Sequence, residues 1–222
     1  MAKRRIIFGS YDTAATGLWL LTGWEFSPAE YKSEFVEVPG RDGDLDLSTS
    51  LTDGVPKYGN RILTATFESS EGTRLEREAR INTMINWLDG WKMNITLPDD
   101  DAHYITGRVH VAREYNDPVH CAVAVEAVCE PWRYNVNETI HVLTAAETTQ
   151  TAMLSNAGRR TVVPLLSITG EGASIELSFG GANWALSAGM YQLPDMVLNQ
   201  GGAPLTYKGT GTLTISYREA VL

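Results

Sequence analysis

Residues 61–68 read RILTATFE and residues 119–129 read VHCAVAVEAVC. In both runs apolar side chains fall on every second position, the period of a strand with one face in a core. Shorter or looser alternation predicts further strands at 3–8, 18–21, 31–38, 92–97 and 104–113. The long strand over 119–130 is expected to stop at Pro131. One stretch departs from this period. In GTRLEREARINTMINWLDG, Thr73 and Glu76 stand in the positions of a capping box, and Leu75, Ala79, Ile81, Met84, Ile85 and Leu88 recur at helical spacing. Gly90 supplies the stop, Arg74–Glu78 and Glu76–Arg80 are i,i+4 pairs, and Arg77 falls on the polar side. The pattern predicts an amphipathic helix over 73–89 lying on a sheet.

Beyond Pro131 the character changes. Positions 1–133 hold 14 basic and 21 acidic residues; positions 134–222 hold only 4 and 6. The second stretch is rich in Thr, Ser, Ala and Gly. It carries strand-like runs at 161–169, 173–179, 184–186 and 213–217, with Gly170-Glu171-Gly172 expected to be a turn between two of them. The expected fold is mainly β: an N-terminal β-rich domain with one helix at 1–133 and a C-terminal antiparallel β-sandwich at 134–222.

Composition narrows the function. The chain of 222 residues has a formal net charge of −9, whereas a phosphate backbone is held by clustered Lys and Arg, so stable nucleic-acid binding is not expected. After Lys3-Arg4-Arg5 only Ile6, Ile7 and Phe8 precede Gly9, too short a run for a signal-peptide core. No stretch approaches the roughly 20 apolar residues of a membrane helix. The expectation is a soluble product of the cytoplasm with no membrane partner. Cys121 and Cys129 share one parity of the strand over 119–130. They would stand about 26 Å apart, far beyond disulfide reach, so both are expected to be reduced core residues.

Candidate chemistry is sparse. In EVPGRDGDLDLSTS, Asp42, Asp44 and Asp46 have the early spacing of a calcium loop and Asp53 its twelfth position, but the glycine is misplaced and the bidentate glutamate missing. Asp99-Asp100-Asp101 follows Pro98 between two strands and reads as a solvated hairpin loop. His103, His110, His120 and His141 match no zinc spacing. His120 would point away from Cys121, which leaves a Cys–His nucleophile unsupported. Neither a nucleophile elbow nor a phosphate loop occurs. No enzyme, cofactor or metal is expected. The second function class considered is a monomeric, lectin-like carbohydrate-binding module, with Trp184 and Tyr191 stacking on sugar rings.

Several segments, taken in order, resemble the distal tail proteins of siphophages, whose tails are long and non-contractile. They are VPGRDGDLDLS at 38–48, YGNRILTATF at 58–67, INWLDG at 85–90, CEPWRY at 129–134, LSNAGRRTVVPLLSITGEGASIELSFGG at 154–181 and GTGTLTISYREAVL at 209–222. The resemblance implies a ring-forming N-terminal domain, assembled as a hexamer around a channel, and a galectin-like C-terminal sandwich. It also implies a virion structural protein of the tail tip or baseplate, made in the host cytoplasm. Its partners would be its own copies, the tail-tube protein and a tail-tip fibre or receptor-binding protein, with DNA passing through without stable binding. Pro39, Gly40, Arg41, Asp42, Gly43, Asp44, Asn60 and Arg61 are the expected structural motif and subunit contact. In this reading Val38-Pro39-Gly40 ends one strand and Arg41-Asp42-Gly43 turns the chain. Asp44, Leu45, Asp46 and Leu47 then start the next strand with leucines inward and aspartates outward.

Overall fold

A computed structural model describes residues 5–52, 54–116 and 119–222. Lys3, Arg4 and Asp53, named above, lie outside the described residues. The chain divides into two compact units, Met1–Arg133 and Tyr134–Leu222, and both are built mainly of antiparallel β-strands.

The first unit opens with four two-residue strands, β1 (Ile7–Phe8), β2 (Tyr11–Asp12), β3 (Trp19–Leu20) and β4 (Glu25–Phe26). A small ladder of β5 (Phe35–Val36) and β6 (Leu45–Asp46) follows. The longer elements are β7 (Arg61–Ser69), α1 (Arg74–Leu88), β8 (Lys92–Thr96), β9 (His103–Asn116) and β10 (Cys121–Asn135). The sheet order is β2-β1-β8-β9-β10-β7-β3, with β4 also on β7. In β7, Leu63, Ala65 and Phe67 point into the core; opposite them in register stand Ala127, Val125 and Val123 of β10. Ile105 and Val109 of β9 extend the same apolar face, and α1 covers it with Ile81, Met84 and Leu88.

The helix has its capping box: Thr73 Oγ1 accepts from Glu76 N–H, and Glu76 Oε2 accepts from Thr73 N–H at 2.7 Å. Arg74 pairs with Glu78 at 3.0 Å. The rotation about its axis differs from expectation. The buried stripe is Arg77, Ile81, Met84 and Leu88, while Leu75 and Ala79 are exposed and Ile85 is half-buried. Arg77 is therefore on the sheet side, 5% exposed, with its guanidinium turned back to donate to the Gly72 carbonyl at 2.5 Å. A long stem that buries methylenes and satisfies its head at the helix start substitutes for an apolar side chain. Glu76 accepts from the cap, and Arg80 donates to Ser69 Oγ and the Glu71 carbonyl while its charge still helps to lower the Glu76 pKa.

Two strand limits also differ. β10 runs through Pro131 to Asn135. Its β7 partner ends at Arg61 opposite Cys129, so the missing N–H of Pro131 breaks no bond of that ladder. The strand expected over 31–38 shrinks to β5, whose ladder with β6 has two residue pairs, while Tyr31 makes a single bridge to Tyr58.

The second unit holds β11 (Thr139–Ala145), β12 (Gln150–Asn156), β13 (Leu165–Phe179), β14 (Ala182–Ser187), β15 (Gly189–Gln192) and β16 (Gly201–Tyr217). Of the run expected over 161–169 only the part from Leu165 is strand, and it joins 173–179 in the single strand β13; Gly170-Glu171-Gly172 is the bulge inside it, not a turn between strands. The run at 213–217 is the end of the 17-residue β16. One half of the β13–β16 ladder takes β11 and β15 as neighbours, the other takes β12 and β14. Both halves feed one core, with Leu166, Ile168, Leu213 and Ile215 from the first and Ile175, Leu177, Leu205 and Tyr207 from the second. The long strands thus change layers at the bulge. A Cβ on Gly209 would lie 2.1 Å from the Ser174 carbonyl oxygen, so that crossing requires glycine. β11, β12 and β15 carry no strand pattern in the sequence reading. In β11 the half-buried positions include Thr139 and His141 while Ile140 and Val142 are exposed, so apolar residues do not mark its inner face, and β15 has only four residues.

Candidate functional site

The residues named as a subunit contact lie in or next to an exposed arm, residues 29–60. Its base is tied by a Tyr31–Tyr58 bridge, by Lys32 N–H to the Lys57 carbonyl at 2.7 Å, and by Gly59 N–H to the Glu30 carbonyl at 2.8 Å. The Tyr58 ring meets Trp132 edge-on, centroids 5.5 Å apart. Further out, Glu34 N–H donates to Ser48 Oγ and Leu47 N–H to the Glu34 carbonyl, both at 2.8 Å. The end of the arm is the 39–44 turn. Arg41 N–H closes on the Val38 carbonyl at 3.1 Å, and Gly40 and Gly43 have φ of +83° and +72°, which side chains on L-residues strongly disfavour. Leu45 and Leu47 are half-buried while Asp44 and Asp46 face solvent, the alternation expected here. Asp46 accepts from Ser48 N–H at 2.9 Å, and hydrogen bonding to Ser48 holds its carboxyl below the usual range.

Pro39, Gly40, Arg41, Asp42, Gly43, Asp44 and Asn60 are all exposed. Arg61 is not brought together with them. It is buried, donating from Nε to the Ser27 carbonyl at 2.6 Å, with its guanidinium 3.7 Å from the centroid of the Phe26 ring. Burial, reinforced by the nearby Arg133 charge, lowers its pKa. Arg61 fastens β4 to β7 and so holds the start of the arm.

The other polar clusters are local. His103, His110 and His120 bond Asp100, Asp89 and Glu68 at 2.8, 2.8 and 2.7 Å, and His141 meets the Tyr217 hydroxyl at 3.1 Å. Asp100 also takes Arg133 at 3.2 Å, so the 99–101 loop is only partly solvated. Its middle carboxylate locks the loop to β9 and β10. Among the described residues no three His, Cys, Asp or Glu side chains converge on a common point. Cys121 and Cys129 are free and buried. Burial pushes the Cys129 thiol up to about 12, with Arg61 opposing the shift, which keeps it a poor nucleophile.

The second unit bears a cleft of about 430 Å³ lined by Glu176, Ser178, Asn183 and Lys208 together with Trp184 and Tyr207. Lys208 and Glu176 face each other across the ladder at 2.9 Å. Trp184, in register with Leu177, packs against the second core and, half-buried, also lines this cleft. Tyr191 packs there too and donates to the Ser187 carbonyl.

Sequence reasoning passed over Trp87 and Trp91, which are 58% and 64% exposed. Helical spacing puts Leu88 on the apolar face and leaves Trp87 off it, without showing whether a distant segment covers the indole.

No protein-family model matches the chain, and no curated protein does. Its fold, a β-sheet unit with one covering helix followed by a bulged sandwich, is that of a phage tail hub protein. The crystal structure of Dit (gp 19.1) from phage SPP1, described as a paradigm of the hub adsorption apparatus in phages infecting Gram-positive bacteria, aligns with a TM-score of 0.69. That alignment covers 97% of this chain and 98% of Dit at 14% sequence identity.

Proposed function

We propose that this chain is a structural, non-enzymatic component of a phage tail tip or baseplate. It acts as a distal tail hub whose N-terminal unit assembles six copies into a ring. The ring joins the tail tube to a tip fibre or receptor-binding protein and leaves a channel for DNA. The C-terminal unit is a galectin-like sandwich for contacts outside the ring. The observation that supports this reading is likeness along nearly the whole of both chains, 97% and 98%, at a TM-score of 0.69. A local likeness of one sheet would carry no such weight.

The exposed end of the arm supplies the subunit contact, through Pro39, Gly40, Arg41, Asp42, Gly43 and Asp44, with Asn60 at its base and Arg61 holding it from inside. A closed ring is built from two different complementary patches on each subunit, and a projecting arm is one such patch. The acidic balance, 21 acidic to 14 basic residues in positions 1–133, suits a conduit through which a polyanion slides without being held.

Negative-stain microscopy of the purified protein tests the proposal. Six-fold rings with a central hole, and no measurable duplex-DNA affinity near physiological salt, are the expected outcome. Monomers that bind a glycan saturably would replace it with the lectin-like reading.

A further inference from the structure

None of the described residues from 29 to 60 is buried. Phe35 is 55% and Leu51 96% exposed, and Tyr31, Val36, Val38 and Val55 are exposed as well. Phe35 and Val36 stand on the two-pair β5–β6 ladder and the others on the segments that flank it; exposed apolar side chains gathered on one segment mark a contact surface. The same unit carries a groove of about 490 Å³ between the end of α1 and β8, walled by Trp87, Trp91, Phe8 and Met93. Large, partly exposed indoles at the wall of a groove are the side chains that anchor protein contacts.

Charge favours a match between the two. In sequence, positions 29–60 hold Glu30, Glu34, Glu37, Asp42, Asp44, Asp46 and Asp53 against Lys32, Arg41 and Lys57. Beside the groove, Lys92 and Arg108 face each other across the β8–β9 ladder, Lys92 pairing with Glu130 and Arg108 donating to the Gly90 carbonyl. Arg108 meets a neutral carbonyl there, so its positive charge is not neutralised by that bond.

We propose that the arm of one copy seats its apolar side chains in the Trp87–Trp91 groove of a second copy, with the arm's carboxylates beside Lys92 and Arg108. Arm and groove are different surfaces, so each copy gives one and receives one, the head-to-tail arrangement that closes into a ring. The inference rests on the ring reading above and names the two faces that make the contact.

Mixed-chain disulfide trapping tests it. Full-length Phe35→Cys protein is mixed with full-length Trp91→Cys protein and oxidised; the native Cys121 and Cys129 are buried and do not compete. The mixture is expected to give at least about tenfold more two-chain disulfide product than either variant alone, because only the arm–groove pair brings the thiols within bonding range. In parallel, Trp87→Ala/Trp91→Ala should raise the concentration needed for assembly by about tenfold or more while leaving the melting temperature nearly unchanged.

Rings without the mixed product would overturn the arm–groove contact and leave the ring standing. A wild-type protein that stays monomeric and gives no mixed product would overturn both. Equal product from Phe35→Cys alone would mean arm-to-arm pairing. A one-chain disulfide in Phe35→Cys/Trp91→Cys would mean that the arm folds onto its own groove. Either result sinks the proposal.

Discussion

Gly107 on β9 lies against the sulfur of Cys129 on β10: a Cβ at position 107 would stand 2.6 Å from Sγ and 3.2 Å from the Val128 carbonyl oxygen. The thiol occupies the place of a side chain at 107, in the middle of the first core. Gly107→Ala should therefore destabilise the protein by about 1–3 kcal/mol through overpacking. In Gly107→Ala/Cys129→Ala the loss should be smaller than the sum of the two single losses, since the second change removes the atom that clashes. Urea melts of the three variants measure this. Strict additivity would place the strain elsewhere.

The raised Cys129 pKa predicts an alkaline decline. A thiol moved from 9.0 to about 12 in the folded state stays protonated while the unfolded chain loses its proton. Stability therefore falls as pH rises through that window, by up to about 1.4 kcal/mol per pH unit. Tyr11 and Tyr217, both raised first by burial, add to the decline above their ordinary value. Cys129→Val should flatten the first part of the curve in chemical melts between pH 8 and pH 10. An unchanged slope would show that the thiol is not its source.

Acid acts through different groups. Asp46, Glu76 and Asp89 are lowered mainly by hydrogen bonds to their carboxylates. Stability from these contacts is present above the unfolded carboxylate range and is lost as pH falls through the depressed folded values. Glu76→Gln should weaken the pH dependence on the acid side without abolishing the helix cap, as read by thermal melts between pH 2 and pH 5.

On the helix, Met84→Ala removes a fully buried side chain and should cost about 2–5 kcal/mol. Arg77→Ala should also be clearly destabilising, because it takes away buried stem and the bond to Gly72. Leu75→Ala, 76% exposed, should stay within about 0.5 kcal/mol. If Arg77→Ala proved as mild as Leu75→Ala in denaturant melts, the assigned rotation of α1 would be wrong.

Asn156 is fully buried in the second unit. Its amide donates to the Arg160 and Leu198 carbonyls at 2.8 and 3.2 Å and accepts from Gly158 N–H at 3.0 Å. Asn156→Ala leaves these groups without a protein partner at a cost of about 1–3 kcal/mol. Hydrogen exchange at Gly158 should speed up more than exchange in β7. Uniform acceleration across both units would indicate a global effect instead.

Sequence alone determined the features whose causes are local. The alternation of 61–68 and 119–130 gives β7 and most of β10, which begins at Cys121, and Thr73 with Glu76 starts the helix at its observed place. The two glycines of 39–44 make the turn, because capping and positive φ depend on neighbours within a few residues. Tertiary structure decided the rest. Arg77 is a core residue because a sheet lies under that side of α1. Pro131 sits inside a strand because β7 has already ended opposite Cys129. Gly170-Glu171-Gly172 is a bulge because β16 runs alongside both halves of β13. The candidate contact divides the same way. Its turn could be read from residues 38–48, whereas the burial of Arg61 and the exposure of Phe35, Trp87 and Trp91 depend on which distant segments cover them. Periodicity shows that a side chain has a face; only the packed neighbour determines whether that face is filled.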